Sequence, residues 1–213
     1  MSALVIIFML VLSLLMLYFA ITRKSSQQQF IEQYEFSESL TEKVRVAYPH
    51  LSSEEIALVF VGLKEYFAIC HKAKGKMVAM PSRIVDLAWH EFILCTKQYQ
   101  TFCRRAFGRF LHHTPSQAMA SKKSASEGLK RTWFLACERY FTDPRKPQKL
   151  PLLFALDDML GIKDGYHYAL PTSDKDMKDK HNANNIACLA GGAGHGASDS
   201  AGDGVACGGC GSS

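Results

Sequence analysis

Residues 80–115 read MPSRIVDLAWHEFILCTKQYQTFCRRAFGRFLHHTP. The stretch holds one of the chain's two tryptophans, two of its seven cysteines and three of its eight histidines, so it carries most of the unusual chemistry. Pro81 and Ser82 suit a helix start, as a first-turn proline or a serine cap. Gly108 suits a helix end, because glycine accepts the left-handed conformation that closes helices. The spacing between these marks predicts one helix from Ser82 to about Phe107. Trp89, Phe92, Tyr99, Phe102, Phe107 and Phe110 supply its packing surface.

Working outward, further helices flank this one. Ser39-Leu40-Thr41-Glu42 and Ser52-Ser53-Glu54-Glu55 match capping boxes, in which serine and glutamate satisfy each other's backbone donors. After the second box, Ile56, Val59, Phe60, Leu63, Tyr66, Phe67 and Cys70 recur at intervals of mostly three and four, predicting an amphipathic helix to about Lys74 that ends at Gly75. Thr114-Pro115-Ser116-Gln117 is a third capping pattern. A helix over roughly 126–141 should place Leu129, Trp133, Cys137 and Tyr140 on one face, and 150–160 should form a short buried helix closed by Gly161. There is no sustained period-2 alternation and no Asn-Gly or Asp-Gly hairpin between apolar runs. The expected fold class is all-α: a small helical bundle over residues 36–170, preceded by one transmembrane helix.

That helix is the run ALVIIFMLVLSLLMLYFAI at residues 3–21, which holds no charge and has the length to span a bilayer core of about 30 Å. It lacks the basic leader and small-residue cleavage site of a signal peptide. Arg23 and Lys24 follow it, so residues 1–24 read as an anchor. The positive-inside rule then places the rest of the chain in the cytoplasm of a cell carrying it in its inner or plasma membrane. Residues 25–35, polar and glutamine-rich, read as a juxtamembrane spacer or the start of a helix. Residues 171–213 form a charged linker and a tail with nine of the chain's 15 glycines, a composition that predicts disorder.

The formal net charge of +5 is mild, and no RNA-binding aromatic motif or zinc-finger spacing accompanies the lysines of residues 121–150. A nucleic-acid partner is therefore not expected; membrane and protein partners are. Seven cysteines, an odd number with four inside apolar helical patterns, do not form a disulfide framework and fit a reducing compartment.

Asp86 and His90 stand four apart, one helical turn, with Trp89 beside them to exclude water. A carboxylate beside an imidazole suits a ligand or metal site, and equally a buried structural pair. In an unbroken helix His90 and Cys103 are about 20 Å apart along the axis, and His112 and His113 lie beyond its end. Zinc needs all its donors within about 2.3 Å, so an unbroken helix forbids one shared site. An antiparallel packing of this helix on 53–74 instead predicts two polar clusters: Cys70 and His71 near Asp86, and His50 near His112 and His113. The ligand-binding candidates are Asp86, Trp89, His90, His71, His112 and His113. In the tail, Cys207 and Cys210 form a CxxC pair with Cys188 upstream, weak candidates for zinc.

The run D-x-x-W-H … Y-x-x-F-C … F-G-x-x-x-H-H-x-P resembles the signature of the glycine-rich domain-containing proteins, a bacterial group with distant plant relatives. The resemblance covers roughly residues 36–170 and implies the same layout of apolar segment, helical domain and Gly/Cys-rich end. Plant relatives often carry a second histidine where this chain has Phe92. The family implies no known activity. With no nucleophile motif, phosphate loop or HExxH present, the expected function is a membrane-tethered binding or interaction module. The alternative is a metal-binding protein or metal-dependent enzyme using Asp86 and His90 or the tail cysteines.

Overall fold

The computed structural model describes residues 3–114, 122–170 and 209–211. Seven helices run in chain order: α1 Ala3–Glu32, α2 Glu38–Ala47, α3 Ser53–Lys72, α4 Arg83–Leu94, α5 Thr96–Phe107, α6 Lys122–Arg139 and α7 Leu152–Met159. Two three-residue strands, β1 His112–Thr114 and β2 Gly209–Gly211, pair antiparallel. The all-α expectation holds.

Helix α3 is the hub, in contact with α1, α2, α4, α6 and α7. Its start is the expected capping box: the Ser52 hydroxyl accepts from Glu55 N at 3.2 Å, and Ser52 N donates to the Glu55 carboxylate at 2.7 Å. The same pattern at Ser39 is not used, because α2 starts two residues earlier behind Ser37, which makes no side-chain cap. Ser82 caps α4 as expected, accepting from Val85 N. The Thr114–Gln117 pattern and the expected tail disorder fall mostly outside the described residues.

Helix α1 is long and apolar enough to cross a membrane, a property that membrane spans and signal sequences share; its mean hydropathy reaches 2.7. The helix continues without a break through Gln29 to Glu32, and its end docks on the bundle. Ile31 is fully buried, and Phe30 stacks on Phe102 with ring centroids 5.7 Å apart. Tyr34, Phe36, Phe67, Phe92 and Phe102 join it in one aromatic core. Each such pair adds about 0.5–1.5 kcal/mol beyond area burial.

The expected single helix from Ser82 to Phe107 is broken. Cys95, at φ −79° and ψ 58°, separates α4 from α5, and its N–H closes a tight turn onto Phe92 O at 3.1 Å. In a straight helix Phe92 and Phe102 would stand about 15 Å apart along the axis; here their rings lie 5.3 Å apart. Buried Val85, Ala88, Trp89 and Phe92 of α4 and Tyr99, Phe102, Cys103 and Ala106 of α5 keep one heptad phase across the break. Apolar periodicity therefore carries no trace of the turn.

Candidate metal centre

The turn at Cys95 decides the site. Helix α5 ends at Gly108, whose φ of +72° is the left-handed closure expected there, and the chain then returns toward α4. A hydrogen-bonded relay fixes the return path. Trp89 Nε1 donates to the Tyr99 hydroxyl at 3.2 Å, and that hydroxyl donates to the Leu111 carbonyl at 2.5 Å. All three residues are buried, so the relay ties α4, α5 and the approach to β1 together where water cannot compete.

Two residues past Leu111, His113 lies over α4. Its Nε2 is 3.1 Å from Asp86 Oδ1, while His90 Nδ1 is 3.5 Å from Asp86 Oδ2. The two imidazole centroids are 4.2 Å apart, and the Trp89 indole stands edge-on to His113 at 4.5 Å. Donor atoms of Asp86, His90 and His113 all lie within 4.8 Å of one another. The side chain of His113 is 8% exposed and that of His90 48%, so the cluster has a walled side and an open side.

These separations suit shared coordination. Four ligands about 2.0–2.2 Å from a tetrahedral zinc stand about 3.3–3.6 Å from one another. Two imidazoles and one carboxylate form a donor set used by zinc and by iron(II), with at least one position left over. The same atoms can also stand as a carboxylate hydrogen-bonded by two histidines. Across the β1–β2 ladder, Cys210 is the register partner of His113.

Other candidates go elsewhere. His112 is exposed, its ring lies 4.9 Å from the Phe110 ring, and it is not among the donors grouped with Asp86. His71 does not join Asp86 but pairs with Gln27 of α1 at 3.3 Å. His50 lies against the Tyr48 ring, and it is Asp86 that His113 meets. The two clusters expected from an unbroken helix are thus replaced by one, because the break at Cys95 brings β1 back to α4. Cys188 and Cys207 lie outside the described residues. Cys70, Cys103 and Cys137 are buried in the core, and burial pushes the Cys137 thiol up to about 11, so it is inert.

Asp157 of α7 gave no signal in the sequence beyond being polar within an apolar run. It is 1% exposed and accepts four hydrogen bonds: from the Ser82 hydroxyl at 2.7 Å, Arg83 N at 2.7 Å, Ile84 N at 3.3 Å and Tyr166 N at 2.8 Å. A carboxylate at a helix N-terminus satisfies orphan donors and the helix dipole together. Asp157 therefore locks the first turn of α4, the helix that carries Asp86 and His90. Gly165 makes the fourth bond possible, since a Cβ there would sit 2.6 Å from the Asp157 Cβ.

The chain belongs to the UCP032817-like family, whose profile matches residues 26–190. That span starts after the apolar part of α1 and covers the whole described bundle. The description of the family names no activity. Comparison with curated proteins and with solved structures found no match.

Proposed function

We propose that this chain is a membrane-tethered helical module that holds a divalent transition metal, zinc first, between Asp86, His90 and His113. The observation that carries the reading is the convergence of three donors from α4 and β1 within 4.8 Å. Trp89 and the Trp89–Tyr99–Leu111 relay hold His113 in place, as supporting residues do around metal ligands. The tail cysteines Cys188, Cys207 and Cys210 are kept as further candidate ligands on their sequence spacing alone. The apolar part of α1 serves as an uncleaved anchor, which its lack of a cleavage site favours, with the bundle on the cytoplasmic side. Kinship with the glycine-rich domain-containing proteins rests on the D-x-x-W-H to H-H-x-P motif.

The test is metal loading of the full chain purified in detergent. After chelation and reloading with zinc, the parent should retain about one equivalent per chain, as expected for one site. His113→Ala should abolish retention, whereas His112→Ala, at the exposed neighbouring position, should leave it intact. Equal behaviour of the two variants, or a parent that retains no metal, would refute the site. Extraction of membranes with alkaline carbonate checks the anchor separately: an integral chain stays in the pellet.

A further inference from the structure

A second site lies where α1 enters the bundle. A cavity of about 500 Å³ is lined by Lys24, Gln27, His71, Lys74, Lys76 and Arg109, among others, with no carboxylate in its lining. The Arg23 guanidinium adjoins it, lying 3.1 Å from where a Cβ would stand on Gly108. The backbone of the loop is shaped for the purpose of a tight return: Lys74 and Gly75 both have positive φ, 51° and 84°. Helices α3 and α5 end here, and each contributes about −0.5 charge. Against the four lysine and arginine charges of the lining, about three positive charges remain uncompensated. Burial and the nearby Lys24 hold His71 below the ordinary histidine range, so it enters as a neutral hydrogen-bonding group.

The height of this cavity is fixed by α1. The apolar run ends at Ile21, and the helix continues unbroken into the bundle. At about 1.5 Å per residue, Lys24 lies about 4.5 Å beyond Ile21 and Gln27 about 9 Å beyond it. The headgroup layer on each side of a bilayer is about 5–8 Å thick. The docked Ile31 and Phe30 leave no hinge between span and bundle. Lys24 is thus held at the level of lipid phosphates with Gln27 at the outer edge of that layer, the rest of the lining shares their cavity, and the volume lies within the range of about 300–1,000 Å³ usual for small-molecule sites.

We infer that this cavity binds the phosphate of an anionic phospholipid headgroup in the leaflet that faces the bundle. The inference rests on the membrane-anchor reading above. Lys74 and Lys76, both exposed, reach the headgroup from the α3 end, and Arg109 offers a planar fork for two phosphate oxygens.

The experiment reconstitutes the full chain in nanodiscs of phosphatidylcholine containing a minor share of phosphatidylglycerol, and measures co-retained lipid by native mass spectrometry. The parent should retain phosphatidylglycerol in preference to phosphatidylcholine. Lys74→Glu and Lys76→Glu should each lower that retention at least about fivefold, the worth of one basic residue at a membrane surface. Lys149→Glu, an exposed cation outside the cavity, should not. Thermal unfolding checks that each variant is folded. An embedded parent without preference, or cavity variants that retain the lipid like the parent, would overturn the inference while leaving the anchor standing. Release of the parent by alkaline carbonate would overturn both. Binding of inorganic phosphate to the protein in phosphatidylcholine alone, lost in Lys76→Glu, would assign the site to a free anion and overturn the lipid reading.

Discussion

Replacing Asp157 by alanine should be among the most damaging single changes in the bundle. The carboxylate accepts from the Ser82 hydroxyl and from the backbone of Arg83, Ile84 and Tyr166. Ser82 and Ile84 are fully buried, so two of the four donors would be left without water to replace the lost acceptor. A hydrogen bond to a charged group is worth about 1.5–3 kcal/mol. Two buried orphans then cost about 3–6 kcal/mol, before any loss of the α4 dipole interaction. Domains of this size are stable by only about 5–15 kcal/mol. Asp157→Asn keeps the shape and one acceptor oxygen, so it should cost clearly less than alanine. The assay is urea unfolding of the full chain in micelles, followed through Trp89 and Trp133, the chain's two tryptophans and both buried. Loss of the first turn of α4 should also loosen Asp86 and weaken metal retention in parallel. An alanine variant within about 1 kcal/mol of the parent, the size of an ordinary substitution, would refute the reasoning.

Three further outcomes follow from the same geometry. Burial pushes the Glu65 carboxyl up to about 7, against the opposing pulls of the Tyr140 hydroxyl at 2.9 Å and of Arg139. The folded state therefore holds this proton more tightly than the unfolded state. Stability should fall by about 3 kcal/mol as pH rises from 4.5 to 7, and Glu65→Gln should flatten that slope in unfolding measured across the window. At Gly62 an added Cβ would collide with Leu156 Cδ1 and lie 3.1 Å from Val85 Cγ2, so Gly62→Ala should cost about 1–3 kcal/mol by overpacking, read as a lower urea midpoint. Trp89→Phe removes the donor to Tyr99 and half the wall against His113; metal affinity should drop about tenfold, the lower end for loss of a supporting partner. Unchanged affinity would separate the relay from the site.

Much of the bundle was legible from local signals. The Ser52–Glu55 box, the Ser82 cap and the glycines at 75, 108 and 161 mark ends through conformations that neighbours along the chain dictate. Asp86, Trp89 and His90 share a helical turn, so their proximity needed only the helix. The break at Cys95 was not legible. The heptad of buried residues runs straight through it, and Cys95 offers no side-chain cap. An unbroken helix would hold His113 far from Asp86.

By itself, the sequence determined the all-α class, the apolar length of α1 and the Asp86–His90 pair, because these depend on contacts within a few residues. Tertiary structure alone decided that His113 completes the pair, that His71 belongs to a basic cavity under α1, and that Asp157 anchors α4 from 73 or more residues away. The physical reason is common to all three. Each depends on where a turn sends the next helix, and packing of the aromatic core sets that direction.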